Sequence, residues 1–301
     1  MAAPDLEYDR EFRAAAFAYV QGLADAGGVV TRSQLEQFRF RGERITLIDQ
    51  GRGVRNPVQL PASISILSTR RSHYKDETGP DGLLRYDFPP GDPSRGDNAK
   101  LRRACELGLE LIWFHEVVPG TFAPIMPVYL AREETELRRY VVALDRDQRA
   151  IARSASATDS ILERRYVERM SKQRLHQPIF RGGVMLAYDN KCTICELRHK
   201  ELLDAAHIIS DGKPGGDPVV SNGLALCKIH HAAYDRDILG ISPDLIVQVN
   251  EKVLHEVDGP MLRHGLQDFH GQPLRVIPTK RALQPDKDRL AERFDEFKAA
   301  G

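Results

Sequence analysis

The amino-acid sequence predicts an α+β protein with more than one domain and a small metal-stabilised module toward its C-terminal end. Short β-type runs separated by proline and glycine occupy residues 57–145, which indicates a β-rich domain there. Farther along the chain, Cys192-x-x-Cys195 and Cys227-x-x-His230 have the spacing of a structural zinc site. At 301 residues the chain is long enough for two or three separate cores.

The composition is that of an ordinary globular protein, with 42% hydrophobic and 29% charged residues. Lys+Arg and Asp+Glu number 43 each, so any surface that attracts nucleic acid must be local. No run approaches the ~18 apolar residues of a membrane span, and the first residues lack the apolar core of a signal peptide. We therefore expect a cytoplasmic protein with no membrane partner.

Residues 1–55 are predicted to form a small helical, winged-helix-like extension. A helical pattern over 9–25 is followed by Thr31-x-x-Gln34, the pattern of a capping box that opens a second short helix. An apolar, hairpin-like segment over 40–48 then turns at Arg41-Gly42. The order helix, helix, wing follows from these signals.

Residues 56–145 are predicted to form the β-rich domain, a compact α+β unit or a partly closed barrel. A helix from Asn98 to Leu109 interrupts the strands, and the proline-rich loop over 87–98 is expected to be irregular. The candidate strands are Ser63–Leu67, Leu83–Phe88, Glu110–Val118, Ile125–Leu130 and Tyr140–Leu144.

Residues 146–183 have few helix breakers and are predicted to be a helical linker. Basic residues there form a stripe that can lie along DNA phosphates, although a solvated helix is an equally simple interpretation of each one. The stripe comprises Arg164, Arg165, Arg169, Lys172 and Arg174. The remainder, 184–301, is predicted to be a domain built around the two metal-ligand motifs, with a helix at its C-terminal end.

The four cysteines favour a metal site over a disulfide framework, which suits a reducing compartment. Three of them belong to the two motifs, and the fourth, Cys105, is expected to be a small buried hydrophobe in a helix. A C2H2 DNA-binding finger is a weaker interpretation, because its two ligand pairs are separated by only about 12 residues. The predicted ligands of one structural Zn²⁺ are Cys192, Cys195, Cys227 and His230.

Three further polar residues, His207, Asn222 and His231, lie between and beside those motifs. In this order, interleaved with a four-ligand zinc site, they resemble the HNH endonucleases, also called ββα-metal nucleases, over roughly Val184–Val249. The resemblance implies that His207 is a general base on a hairpin and that His231, on a short helix, binds a catalytic metal. It also implies that Asn222 either orients the loop beside the base or contacts that metal.

The expected reaction explains why these residue types are present. A phosphodiester is cleaved when water attacks in line while negative charge grows on the phosphate and on the departing 3′ oxygen. A base that titrates near neutral pH and a divalent cation serve this reaction, so we expect Mg²⁺ or Mn²⁺ as the catalytic ion. His207 suits the base, with a core histidine as the alternative interpretation.

One position departs from the family pattern. Many members have a metal-binding His or Asp immediately before the base, and here that position is Ala206. Asp204 has the same side-chain parity on the strand and is the predicted replacement. The expected ligands of the catalytic ion are therefore Asp204, Asn222 and His231, with Asp235 as a further acidic candidate or a helix cap.

Three aromatic residues, Tyr86, Phe88 and Trp113, belong to a layout of aromatics, glycines and loops in the β-rich domain. This layout resembles the PUA-like folds, including the SRA domains that read modified bases. The resemblance implies that these aromatics hold a flipped base. The alternative is that they fill a β core, which is the commoner fate of aromatic side chains.

The sequence thus predicts a PUA-like N-terminal domain, a helical linker and a zinc-stabilised ββα-metal nuclease module. The predicted function is a restriction-type HNH endonuclease that cuts double-stranded DNA carrying modified cytosine. Two alternatives are a zinc-stabilised DNA-binding protein without catalysis and a nuclease acting on unmodified DNA. Cutting both strands with one active site per chain favours a homodimer.

Overall fold

The computed structural model describes residues 6–25, 28–49, 51–69, 79, 81–153 and 161–300. The chain divides into two compact units, unit 1 (Met1–Ile179) and unit 2 (Phe180–Gly301). Among the helices that are described, none has both the length and the apolar composition needed to cross a membrane.

The secondary structure follows most of the sequence-predicted segments. The α-helices are α1 Leu6–Asp25, α2 Arg32–Leu35, α3 Gly96–Leu107, α4 Arg146–Arg153, α5 Ile161–Ser171, α6 Gln177–Ala187, α7 Lys228–Asp235, α8 Glu251–Leu254, α9 Pro260–Gly265 and α10 Lys287–Ala300. A π-helical turn, Lys172–His176, joins α5 to α6. The strands are β1 Val30–Thr31, β2 Arg39–Phe40, β3 Glu43–Arg44, β4 Val54–Arg55, β5 Ser65–Ser68, β6 Leu84–Asp87, β7 Leu111–Val118, β8 Thr121–Glu134, β9 Arg139–Ala143, β10 Leu203–His207, β11 Gly223–Cys227, β12 Leu239–Ile241 and β13 Val247–Val249.

Unit 1 is built on a mixed sheet that contains seven strands of the described residues. The strands follow the order β4-β5-β7-β8-β9-β6, and β1 pairs with β8. β5 and β7 are parallel, whereas the other pairs are antiparallel. The 14 residues of β8 let it pair with both β7 and β9, and its ladder with β9 is interrupted between Leu130 and Arg132. The sequence prediction of an α+β fold is confirmed.

Both faces of this sheet are buried, as the near-continuous apolar sequence of β7 indicates. Leu111 and Trp113 lie in one core with residues of β6 and β9. Ile112 and Phe114 lie in the other core with α1, because neighbouring residues on a strand face opposite sides of the sheet.

The first 55 residues share the core of unit 1. The capping box at Thr31 and Gln34 is present, and β2 and β3 form the predicted hairpin. That hairpin turns at Arg41 and Gly42, whose φ angles are 50° and 84°. Phe12 of α1 packs in the same cluster as residues of β7 and β8, so these segments have no core of their own.

Tyr86, Phe88 and Trp113 are core residues of unit 1, which corrects the prediction that they line an open base pocket. Tyr86 and Trp113 are fully buried, and Phe88 is 6% exposed. The indole Nε1 of Trp113 donates to Ser68 Oγ at 2.9 Å, and the Tyr86 hydroxyl donates to the Gly53 carbonyl at 2.7 Å. The polar atoms of both rings are therefore used in holding the core together.

Arg174 is also a structural residue, which removes it from the predicted basic stripe. Its guanidinium donates to the carbonyls of Leu144 and Met126, the latter at 2.8 Å. These bonds tie the π-helical turn to the sheet of unit 1. The side chain of Lys172 lies outside the described residues. The exposed arginines of α5 are Arg164, Arg165 and Arg169.

Unit 2 contains the β10–β11 hairpin, α7, and a second hairpin formed by β12 and β13. Its core joins Val184 of α6, Leu224 of β11, Tyr234 of α7 and Leu290 of α10. The C-terminal helix predicted from the sequence is present as α10, and its Leu290 lies in this core.

We expect Trp113→Ala to destabilise unit 1 by about 3–5 kcal/mol, because it removes a large buried side chain from the sheet core. Trp113→Phe should lose less stability, since it retains much of the buried ring. Urea unfolding measures the stability of both variants. The signal is far-UV circular dichroism, because Trp113 is the single tryptophan and the variants therefore have no tryptophan fluorescence. An unchanged unfolding midpoint with selective loss of DNA binding would restore the base-pocket interpretation.

Candidate active site and metal centre

The β10–β11 hairpin and the helix α7 bring the predicted site residues onto one small framework. The antiparallel register places Leu203 opposite Cys227 and His207 opposite Gly223. α7 begins immediately after β11, with Cys227 as its N-cap residue. The two strands and the helix thus form a ββα arrangement in which the chain turns directly from β11 into α7.

The four predicted metal ligands converge on one point. The sulfurs of Cys192, Cys195 and Cys227 and the imidazole of His230 have ligand atoms that all lie within 4.8 Å of one another. His230 Nδ1 is 3.4 Å from Cys192 Sγ and 3.1 Å from Cys227 Sγ, and Cys195 Sγ is 4.0 Å from Cys227 Sγ. Among the described residues, this is the one group of three or more such side chains that can surround an ion.

The geometry of this cluster fits a tetrahedral ion such as Zn²⁺. With Zn–S of about 2.3 Å and Zn–N of about 2.0 Å, a tetrahedron has edges of about 3.5–3.8 Å, close to these separations. His230 Nε2 lies 2.9 Å from the Gly265 carbonyl, to which it donates, so Nδ1 is left as the ligand atom. Such a partner behind a metal-binding histidine holds its ring and its tautomer.

His207 is the last residue of β10, and its half-buried imidazole packs against Phe180 of α6. The imidazole stacks on Phe180, with ring centroids 4.0 Å apart and planes inclined by 15°. Within the described residues its Nε2 is buried and has no hydrogen-bond partner. Burial lowers the pKa of His207 below its usual value, and His231 lowers it further, while Asp211 and Asp235 oppose the shift.

Gly223 is the reason that Phe180 can reach His207. A Cβ at position 223 would overlap the Val184 side chain and would lie 2.9 Å from the ring of Phe180. The absence of a side chain therefore lets α6 lie against β11 opposite His207. The Tyr188 hydroxyl, which donates to the Gly223 carbonyl at 3.1 Å, fixes the same approach.

Asn222 orients the loop beside His207 and uses its amide entirely within the protein. Its side chain is fully buried, and its Oδ1 accepts from the Ile209 backbone N–H at 2.9 Å. Its Nδ2 donates to the carbonyls of Ile209 and Asp217, each at 3.0 Å. Of the two roles predicted for Asn222, these bonds favour the loop role and correct its inclusion among the ligands of the catalytic ion.

His231 lies between two carboxylates. Its Nδ1 is 3.2 Å from an oxygen of Asp204, and its Nε2 is 3.3 Å from an oxygen of Asp235. Ala206 is fully buried and presents no polar group. Asp204 therefore stands beside the predicted metal-binding histidine, as its strand parity with Ala206 suggested.

Two cations also contact Asp204. Lys228 Nζ donates to one carboxylate oxygen at 2.7 Å, and Arg181 lies 3.4 Å from the same oxygen. Burial raises the pKa of the Asp204 carboxyl, but hydrogen bonds from Lys228 and His231 outweigh it and leave the pKa below its usual value. These partners therefore favour the ionised form of the Asp204 carboxylate.

The structure brings His207, His231 and Asp204 into one region. Asn222 holds the adjacent loop through its hydrogen bonds to backbone groups. Asp235 could have been assigned to His231 from the sequence, because residues four apart on a helix are neighbours. The stacking of Phe180 and the contact of Lys228 with Asp204 were not predicted, since both join segments that are distant in the sequence.

Comparison with known proteins agrees with this site. Residues 192–242 match the HNH endonuclease family. The search of curated proteins gives no match.

Two solved structures are similar at low identity. The first, "Modification dependent TagI restriction endonuclease", is 16% identical with a TM-score of 0.31, covering 82% of this chain and 85% of that chain. The second, the "Type IV phosphorothioation-dependent restriction endonuclease ScoMcrA", is 16% identical with a TM-score of 0.23, covering 57% of this chain and 47% of that chain. Because these TM-scores are low, the identification rests on the family match and on the geometry of unit 2.

The matched segment contains the four clustered metal ligands together with His207, Asn222 and His231. The chain therefore carries an HNH endonuclease domain in unit 2 and is an endonuclease.

Proposed function

We propose that this protein is a metal-dependent endonuclease of the restriction type, which hydrolyses phosphodiester bonds in double-stranded DNA. One observation carries the proposal: His207 and His231 lie in the same region. Burial lowers the pKa of His207 and so favours its neutral form, and His231 lies between the carboxylates of Asp204 and Asp235. A neutral imidazole accepts a proton, and a histidine flanked by two carboxylates offers ligand atoms to a divalent cation. A base and a cation are the two aids that phosphodiester hydrolysis needs.

His207 acts as the general base. Its enclosed Nε2 cannot meet water, so Nδ1 accepts the proton of the attacking water. The water oxygen forms a new bond to phosphorus while the bond from phosphorus to the 3′ oxygen breaks. Phe180 holds the imidazole plane during this transfer through its stacking contact.

His231 and Asp204 are the proposed ligands of the catalytic Mg²⁺ or Mn²⁺, with Asp235 on the other side of the same imidazole. Carboxylate oxygens suit both ions. When bound, such an ion neutralises the charge that develops on the phosphate and the leaving oxygen. Lys228 and Arg181, which keep Asp204 ionised, add positive charge beside that position.

Replacing the base should remove cleavage. We expect His207→Ala to slow plasmid nicking in Mn²⁺ by about 100-fold or more, the usual contribution of a general base. The wild-type rate should rise with pH through a pKa below the ordinary value of about 6.5, because the protonated imidazole cannot accept a proton.

The measurement is the nicking rate between pH 5 and 9, with the exposed His255→Ala as the matched control. A His207→Ala protein that nicks at the rate of the control would remove the assignment. A wild-type protein that binds DNA without nicking it in either ion would favour the non-catalytic DNA-binding alternative.

The two carboxylates beside His231 can be distinguished by their effect on metal dependence. We expect Asp204→Asn to raise the Mn²⁺ concentration for half-maximal nicking at least tenfold, because the strand carboxylate is the proposed ligand. Asp235→Asn should have a smaller effect, since Asp235 is more exposed on the end of α7. Nicking rates in a Mn²⁺ titration measure both variants, and the reverse order of effects would move the ion to Asp235.

The Cys3His cluster is proposed to bind one structural Zn²⁺ per chain. Cys195→Ser should lose the metal and unfold unit 2, because binding of a structural zinc is coupled to folding. Cys105→Ser is the matched control and should retain full zinc, since Cys105 packs partly buried in the core of unit 1. Metal analysis and far-UV circular dichroism decide this, and a soluble, active, zinc-free Cys195→Ser protein would contradict it.

Unit 1 is proposed to select the DNA target, including DNA with modified cytosine. We also propose that residues 56–145 of this unit have a PUA-like fold. Its support is the sequence resemblance of residues 56–145 and the exposed arginines of α5, whose charge suits a phosphate backbone. Nicking of matched plasmids that carry cytosine, 5-methylcytosine, 5-hydroxymethylcytosine or glucosylated 5-hydroxymethylcytosine tests this selection. Equal rates on all four would indicate a nuclease of unmodified DNA.

A further inference from the structure

Unit 1 contains a cavity of about 710 Å³ that shares no residue with the proposed nuclease site. It is lined by α1, by the segment that joins α3 to β7, by Tyr129 of β8 and by the start of α4. Its size lies within the range of about 300–1,000 Å³ that small-molecule sites occupy.

The lining of the cavity carries more positive than negative groups. Four arginines line it, namely Arg10, Arg13, Arg146 and Arg149, against the carboxylates Asp9 and Glu110. Arg13 is committed to the protein, because it bonds Asp9 at 2.8 Å and the Glu110 carbonyl at 2.6 Å. Arg146 pairs with the Glu110 carboxylate at 3.2 Å. Arg10 and Arg149 have no ion pair with a carboxylate of the described residues, so their charge can meet a ligand anion.

Arg149 is seated beside the cavity by a specific arrangement of the chain. Its guanidinium lies over the ring of Tyr129, 5.8 Å from the centroid. Gly108 ends α3 with a φ of 62°, and a Cβ there would overlap the same guanidinium. In the described structure the Arg149 Nε is buried without a hydrogen-bond partner. A ligand in the cavity therefore meets Arg149 through the part of its guanidinium that lines the cavity, and not through this enclosed Nε.

The remaining walls suit a flat, partly apolar group. Phe17 and Leu109, both partly buried, provide apolar surface, whereas the ring of Tyr129 is 2% exposed and lies under Arg149. The Tyr129 hydroxyl donates to a Glu110 carboxylate oxygen at 2.7 Å, which places fixed polar atoms beside that surface. Aromatic surface next to cationic and hydrogen-bonding groups is the combination that holds a nucleotide base and its phosphate.

We propose that this cavity binds a nucleotide, with its phosphate at Arg149 and Arg10 and its base against Phe17 and Leu109. The nucleotide is either free in solution or one unit of a DNA strand. The strand source rests on the proposed function of unit 1, whereas the free nucleotide does not.

Equilibrium binding to the full-length protein tests the proposal. The probes are inorganic phosphate, dCMP, dAMP, and a labelled oligonucleotide in single-stranded and duplex form. The DNA arms use the His207→Ala background, so that the strand is not cut. We expect a mononucleotide or the oligonucleotide to bind at least tenfold more tightly than phosphate.

Three variants assign that binding to the cavity. Arg149→Gln should weaken it about tenfold or more, since it removes a charge-assisted hydrogen bond. Ala14→Glu places a negative charge at an exposed position of the cavity wall and should weaken binding similarly without disturbing the core. Arg103→Gln, an exposed arginine of α3 that pairs with Glu106 outside the cavity, is the matched control and should bind as the wild type does.

Weakened binding of mononucleotides identifies a free-nucleotide site, and weakened binding of the oligonucleotide alone identifies a strand site. Phosphate binding as tight as nucleotide binding would overturn the nucleotide class. Unchanged binding in both cavity variants, or no binding of any probe by the wild type, would overturn the site. Plasmid nicking by the same variants separates the two proposals, because nucleotide binding does not require the nuclease and can stand without it.

Discussion

The convergence of three cysteines and His230 on one point is the constraint on which the nuclease region depends. It ties the turn at Cys192–Cys195 to the junction of β11 and α7. The register of the hairpin places Leu203 of β10 opposite Cys227, so the position of Asp204 follows from the same anchor. Successive helical residues point about 100° apart, and while His230 faces the metal cluster, His231 turns toward Asp204. One cluster thus sets the geometry of the adjacent site.

The close packing around His207 lowers the pKa of its imidazole. The missing side chain at Gly223 lets α6 approach β11, and this approach brings the ring of Phe180 onto the imidazole. The resulting burial disfavours the charged imidazolium and lowers the pKa of His207. The neutral form that a general base needs is therefore a consequence of close packing between a helix and a strand. Asn222 supports the same arrangement from the loop, through three hydrogen bonds to backbone groups.

Asp204, with the charged groups around it, compensates for Ala206, which has no side chain that can bind a metal. The carboxylate lies among His231, Lys228 and Arg181, which stabilise its ionised form. A carboxylate two residues before the usual position can serve the same histidine, because alternate residues of a strand face the same side. In unit 1 the cations have a different arrangement, since Arg13 and Arg174 are bonded within the protein while Arg149 keeps a donor without a partner.

The sequence by itself determined the α+β class, the capping box of α2, the C-terminal helix, the Cys3His side chains that cluster and the HNH endonuclease segment. These features depend on local spacing: a knuckle, a cap or an apolar stripe is defined by residues a few positions apart, and tertiary context does not change it. Only the tertiary structure decided the fate of Trp113 and Tyr86, which the sequence left open between a base pocket and a core. It also decided the role of Asn222, the stacking of Phe180 on His207 and the bonding of Arg174 to the sheet. These contacts join residues far apart in the chain, and burial is set by the elements that pack over a side chain. An aromatic or an arginine has the same local sequence signature whether a sheet covers it or solvent reaches it.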